Sequence, residues 1–282
     1  TLHFSFYQKT SVLLSEMWSP LLVSLFLILL IIISFSVMFR TIIGQRRLAE
    51  AKNDFISNMT HEFKTPISTI SLACEALGDN DMIKESQRDT IAPFVKMIGQ
   101  ENKRLESLVE RILQSASLEK GKLKIKYEEL ELNEIVSLIA QKAKMRVPNT
   151  KGHIHLQLAP GFLYFKGDPV HTMNLVSNLV DNAIKYSKEY VDITLTTFKK
   201  NNQIHLVVSD KGIGIKKEYL DKIFDKLYRV PTGNVHDVKG FGLGLSYVRT
   251  IAETCGWDIT VQSKWGVGSD FTLIIKEKQD KK

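Results

Sequence analysis

The chain has 282 residues, of which 44 % are hydrophobic and 24 % charged, with a formal net charge of +7. The apolar content excludes a disordered chain, and only two cysteines, Cys74 and Cys255, exclude a disulfide scaffold or a multi-cysteine zinc site. The charge is uneven, about 0 over residues 1–39, +2 over 40–60, −2 over 61–120 and +7 over 121–282. No basic helix with groove-reading residues stands out, so no direct nucleic-acid role is expected.

Residues 17–39 carry no charge and are dense in Leu, Ile, Val and Phe. This run exceeds the roughly 20 apolar residues a helix needs to cross a bilayer, and it is too long for a signal-peptide core. Trp18 marks one end, and Arg40, Arg46 and Arg47 follow the other. The positive-inside rule then places residues 40–282 in the cytoplasm. Residues 1–16 are read as the extracytoplasmic remnant of a longer protein and 40–49 as a linker.

Residues 50–120 read as a helical hairpin. Apolar residues recur at Phe55, Met59, Phe63, Ile67, Ile70, Cys74 and Leu77 with spacings of 3 and 4, which marks one buried stripe. Gly78-Asp79-Asn80-Asp81 reads as a turn. A second helical pattern runs from Ile91 to Leu118, with Pro93 early in it and Gly121 ending it. One hairpin cannot bury its own apolar face, so dimerisation into a four-helix bundle is expected.

Residues 121–282 read as an α+β domain. Helices are predicted over 132–145, 168–187 and 246–254, and strands over 153–158, 191–198, 204–209, 257–263 and 270–275. Asp168-Pro169 supplies an N-cap and a first-turn proline, and Gly256 a C-cap.

Four motifs carry the chemistry. In His61-Glu62-Phe63-Lys64-Thr65-Pro66, His61 lies two residues from both Met59 and Phe63 and so faces solvent. It is either a plain surface residue or a nucleophile, with Glu62 to hold or deprotonate the imidazole and Thr65 one turn on. Pro66 predicts a bend beside it. Asn174, Asn178 and Asn182 share one helix face. This is either a solvated face or a set of amide oxygens for a hard cation such as Mg²⁺, with Lys185 reaching phosphate. Asp210-Lys211-Gly212-Ile213-Gly214 follows a strand. It reads as a turn, or as a loop that lets a flat ligand approach while Asp210 accepts a hydrogen bond from an exocyclic amine. Gly240-Phe241-Gly242-Leu243-Gly244 opens a helix and suits phosphate or a lid.

Taken together, these stretches resemble the H, N, G1 and G2 boxes of bacterial two-component sensor histidine kinases, in the family's order. Residues 224–229 resemble the F box and 266–269 the last glycine box, so the resemblance covers about residues 50–276. It implies a dimeric four-helix bundle joined to a two-layer α+β ATP-binding sandwich, anchored in the bacterial cytoplasmic membrane. His61 would be the phospho-acceptor, Glu62 its assisting base, and Thr65 the residue serving dephosphorylation of the partner. Asn178 and Asn182 would bind Mg²⁺, while Lys185 and Tyr186 would contact ATP. Asp210 would read adenine between Gly212 and Gly214. Arg229 would steady phosphates, and Gly240, Gly242 and Gly244 would hinge the lid. The phosphoryl group would pass to an aspartate of a response regulator receiver domain.

Three positions depart from the family pattern: Phe63 for Leu, Leu227 for Phe and Ser269 for Thr. None removes a group the chemistry needs. Only about 20 residues separate Phe39 from His61, too few for an intervening HAMP or PAS module. The rival readings are a gyrase- or Hsp90-like ATPase, a non-catalytic membrane adaptor, and an enzyme acting chiefly as a phosphatase.

Overall fold

A computed structural model describes residues 10–78, 88–119, 125–147, 151–230 and 242–276. The chain divides into two compact units, Thr1–Asp54 and Phe55–Lys282.

Helix α1 spans Thr10–Gly78. Among the described residues it is the one helix long and apolar enough to cross a membrane. The apolar side chains from Leu21 to Phe39 lie in the open, with Leu25 and Phe35 each 64 % exposed.

In the second unit, the later part of α1 and helix α2 (Arg88–Glu119) form the hairpin. Both helices accommodate their prolines internally. The stripe is more selective than the periodicity implies. Ala73 is buried while Cys74 is exposed, so the buried line runs one residue earlier there. Ile67, Leu72, Ile91 and Val95 remain exposed in the single chain. The residues proposed to turn and to end the hairpin, Asp79–Asp81 and Gly121, lie outside the described residues.

The remainder forms β1 (Glu128–Glu131), α3 (Leu132–Arg146), β2 (Gly152–Gln157), β3 (Tyr164–Gly167), α4 (Pro169–Lys185), β4 (Val191–Lys200), β5 (Gln203–Asp210), α5 (Gly244–Cys255), β6 (Asp258–Lys264) and β7 (Gly268–Lys276). Five strands make one mixed sheet in the order β2-β4-β5-β7-β6, with only β2 and β4 parallel. Strand alternation buries Ile193 and Leu195 on β4, Ile204, Leu206 and Val208 on β5, and Phe271, Leu273 and Ile275 on β7. Helices α3, α4 and α5 pack on the sheet through Val136, Leu175, Leu179 and Ile251. The product is a two-layer sandwich.

Every helix and strand expected in this region is present within about two residues of its expected ends. The Asp168 carboxylate caps α4 by accepting from the His171 N–H, and Gly256 closes α5 at φ 73°. Asn201 and Asn202, at φ 51° and 61°, make the two-residue turn that joins β4 to β5. The sequence reading missed the β1–β3 ribbon. Glu128-Glu129-Leu130-Glu131 has no strand signature, and its pairing with residues 164–167 is purely tertiary. Glu131 also caps α3, accepting from the backbone N–H groups of Asn133, Glu134 and Leu163.

Candidate functional site

Strand periodicity sets the centre of the site. Asp210 continues the buried series Ile204, Leu206, Val208, so its carboxylate points toward the helices where the strand ends. It is 9 % exposed and accepts a 2.8 Å hydrogen bond from the Gly212 N–H. Burial pushes this carboxyl above the usual carboxylate range, against the hydrogen bonds from Gly212 and Ser269 that pull it down. Ser269, the departure from the expected threonine, thus retains a hydroxyl beside Asp210.

A cavity of about 90 Å³ opens above this carboxylate, far more than the roughly 10–15 Å³ that one water needs. Asn182, Tyr186, Asp210, Gly214 and Arg229 all line it, five of the residues singled out by sequence. Two glycines are sterically obligatory. A Cβ on Gly212 would strike the Tyr186 carbonyl oxygen, and one on Gly214, at φ 67°, would strike the Lys264 carbonyl oxygen. Burial raises the Tyr186 hydroxyl above its ordinary pKa, opposed by the Arg229 charge.

The asparagine face divides its labour. Asn178 donates from Nδ2 to the Asn174 carbonyl, and its Oδ1 lies where a Cβ on Gly244 would come within 3.0 Å. The Asn182 Nδ2 is buried with no hydrogen-bond partner among the described residues. An unpartnered buried amide costs about 1–3 kcal/mol, which a polar ligand would recover. Asn174 bonds instead to Tyr247, whose hydroxyl also lies 2.8 Å from His171 Nδ1. Burial pushes the Tyr247 pKa up to about 12. Tyr247→Phe leaves both partners short of a bond across the α4–α5 contact. It should lower unfolding free energy by about 1–2 kcal/mol in a denaturant titration.

Lys185 is not on the cavity lining; its ammonium sits 5.0 Å from the Tyr186 ring centroid. Gly242, at φ 70°, abuts the backbone of Leu227 and Tyr228, and Gly240 lies outside the described residues.

On the hairpin, His61 is exposed, as its spacing from Met59 and Phe63 requires. The Thr65 hydroxyl donates to the His61 carbonyl at 3.2 Å. Glu62 accepts from Arg104 Nη2 at 3.2 Å across the hairpin, a partner that sequence reasoning missed. Also missed was an apolar contact within this unit. Phe55, Met59, Phe63, Leu105 and Leu108 gather around Leu243 and Leu227 of the α+β part. Leucines between lid glycines and in the F box were the only sequence signal for it.

Residues 51–121 match the His Kinase A (phospho-acceptor) domain, and 167–279 match the Histidine kinase-, DNA gyrase B-, and HSP90-like ATPase family. The chain belongs to the two-component sensor histidine kinases. It is 40 % identical over 254 residues to the sensor protein RprX of Bacteroides fragilis, covering 89 % of this chain and 49 % of RprX. The chain therefore spans about half the length of that relative. Among solved structures, full-length ShkA in complex with AMPPNP matches with a TM-score of 0.58 at 18 % identity, covering 79 % of this chain and 45 % of ShkA. Histidine kinase ThkA in complex with response regulator protein TrrA matches with a TM-score of 0.53 at 20 % identity, covering 81 % and 63 %. At such identities the structural matches speak for the fold.

Proposed function

We propose that this chain is the membrane-anchored, homodimeric kinase part of a bacterial sensor that phosphorylates itself on His61 from ATP and passes the phosphoryl group to a response regulator. The observation that carries this reading is the buried Asp210 carboxylate under a cavity shared with Asn182, in a chain whose hairpin displays an exposed His61 beside Glu62. Asp210 accepts the exocyclic amine of adenine. The apolar cavity walls take the base, and Arg229 faces the phosphates. The AMPPNP bound by ShkA and the regulator bound by ThkA support the same substrate and partner classes here.

The His61 imidazole attacks the γ-phosphorus, forming an N–P bond as the bond to the ADP oxygen breaks. Glu62 takes the imidazole proton. Most of the rate enhancement is positioning and charge stabilisation. Among the described residues no cluster of three His, Cys, Asp or Glu could hold a metal by itself. Two amide side chains one turn apart, Asn178 and Asn182, fit a cation that shares its remaining sites with substrate phosphates. Mg²⁺ bound there would neutralise phosphate charge. Thr65 and Glu62 equip the same hairpin to dephosphorylate the regulator.

Exposed Ile67, Leu72, Ile91 and Val95 are the apolar surface that a second hairpin covers in the dimer. The apolar stretch of α1 is the anchor, with residues 40–282 in the cytoplasm. The short link from the anchor to His61 carries the signal mechanically. A four-glycine insertion at Ala49 should therefore uncouple stimulus from kinase activity while basal activity persists. A preserved stimulus response would refute mechanical coupling. Incubating the full chain in lipid nanodiscs with γ-labelled ATP and Mg²⁺ tests the whole reading. Acid-labile, base-stable label on the protein is expected, and no label under any stimulus would overturn it.

A further inference from the structure

None of the motif residues accounts for Trp265. It sits at the tip of the β6–β7 hairpin, 48 % exposed, next to Val267 at 59 %. It nevertheless lines the same cavity as Asp210. A large apolar ring left half in water at a turn is a poor structural choice, since a turn favours small or polar residues there.

The tip is also held more firmly than a plain turn. Gly266 N–H donates to the Ile213 carbonyl at 2.7 Å, and Lys188 Nζ donates to the Gly266 carbonyl at 2.7 Å. The Ser263 hydroxyl accepts from the Ile215 N–H and donates to the Gly268 carbonyl, both at 2.8 Å. The Lys188 bond ties the hairpin to the segment between α4 and β4, and the Ser263–Gly268 bond closes the hairpin on itself. The bonds to Ile213 and Ile215 tie it to the loop that follows Asp210. Lys216, from that loop, places its ammonium 5.5 Å from the indole centroid, a cation–π contact that orients the ring.

We propose that Trp265 is a nucleotide-binding residue of this chain, forming the outer wall of the base pocket and stacking on the purine that Asp210 reads. This rests on the nucleotide-binding reading above and adds to it a contact to the base rather than to the phosphates. A flat heteroaromatic ring entering the cavity meets an indole at its mouth and the Tyr186 ring inside. Because the hairpin tip is already fixed, little ordering cost opposes the contact. Stacking of a base on an aromatic side chain is substantial and indifferent to what the sugar carries. The wall therefore acts alike on ATP, ADP and adenosine.

The test measures the affinity of the full chain in nanodiscs for those three ligands, calorimetrically and by tryptophan emission. Trp265→Ala should weaken all three by a common factor of about tenfold, and Trp265→Phe should restore affinity to within about twofold. Nucleotide should change the tryptophan emission of the wild type, and the Trp265→Phe protein should bind without that change, although Trp18 and Trp257 remain. Circular dichroism and the melting temperature establish that both variants are folded. Unchanged affinities in Trp265→Ala would overturn the inference. So would a loss confined to ATP, which would place the residue at the phosphates. If the wild type binds and Asp210→Asn weakens binding while Trp265→Ala does not, only this inference falls. If the wild type binds none of the three ligands, the nucleotide-binding reading falls with it.

Discussion

Replacing His61 by Gln is expected to reduce the acid-labile, base-stable phosphoryl label to background, with ATP affinity unchanged. The reason is chemical. Glutamine keeps the size and polarity of the position but has no ring nitrogen to form an N–P bond. The reason is also geometric. His61 is exposed on the hairpin, open to a γ-phosphate from the proposed nucleotide site. The other described histidines belong to the α+β part. His171 bonds to Tyr247, His205 stacks on Phe198 at 4.8 Å, and His153 packs against His155 and Tyr190. Acid-labile label that persists in the His61 variant would move the acceptor to one of those or elsewhere, and the proposed role of His61 would be lost. Because the proposed ATP site lies in the other part of the chain, calorimetry on the same variant separates loss of the acceptor from loss of the fold.

Asp210→Asn should weaken ATP binding by about 10–100-fold without destabilising the protein. The carboxylate is the strong acceptor for an exocyclic amine, and a hydrogen bond to a charged group is worth about 1.5–3 kcal/mol. An amide turned to keep its bond from Gly212 would face the base less favourably. Stability goes the other way. Burial raises the Asp210 pKa in the folded protein, so folding disfavours the ionised form. That penalty is present above the folded pKa and disappears as pH falls through it and the carboxyl is protonated. The melting temperature of Asp210→Asn should therefore equal or exceed that of the wild type at neutral pH, and the gap should close as the solution is acidified. A variant that melts well below the wild type at neutral pH would show Asp210 to be a structural residue. Labelling in the same variant should recover at saturating ATP, because the substitution acts on binding.

These two positions were legible in the sequence for different reasons. The exposure of His61 follows from helical phase, since residues two positions from both flanking core residues point outward, while its acceptor role rests on the family resemblance. Asp210 was legible only as the start of a glycine-containing loop after a strand and through the family resemblance; that it completes the buried series of β5 came from the structure. Gly212 and Gly214 were legible as glycines, but the reason for them is tertiary. What a Cβ would strike is the carbonyl of Tyr186 or of Lys264, each far away in sequence. Lys185 marks the limit of helical phase. The periodicity puts it one turn beyond the asparagines but does not specify the contact of its ammonium with the Tyr186 ring.

The uneven charge and hydrophobicity that first divide the chain into three pieces are one-dimensional properties, so the sequence alone determined them. The same holds for the helical and strand periods, the caps at Asp168 and Gly256, and the order of the chemical motifs. Each depends on neighbours within one turn or one hairpin. The tertiary structure alone decided the β1–β3 ribbon, the Arg104 contact to Glu62, the packing of Leu227 and Leu243 on the hairpin, and the placing of Trp265 at the cavity mouth. Each joins residues tens of positions apart, and nothing local encodes which distant partner wins. Backbone pairing, shape and burial make that choice once the sheet and helices have assembled.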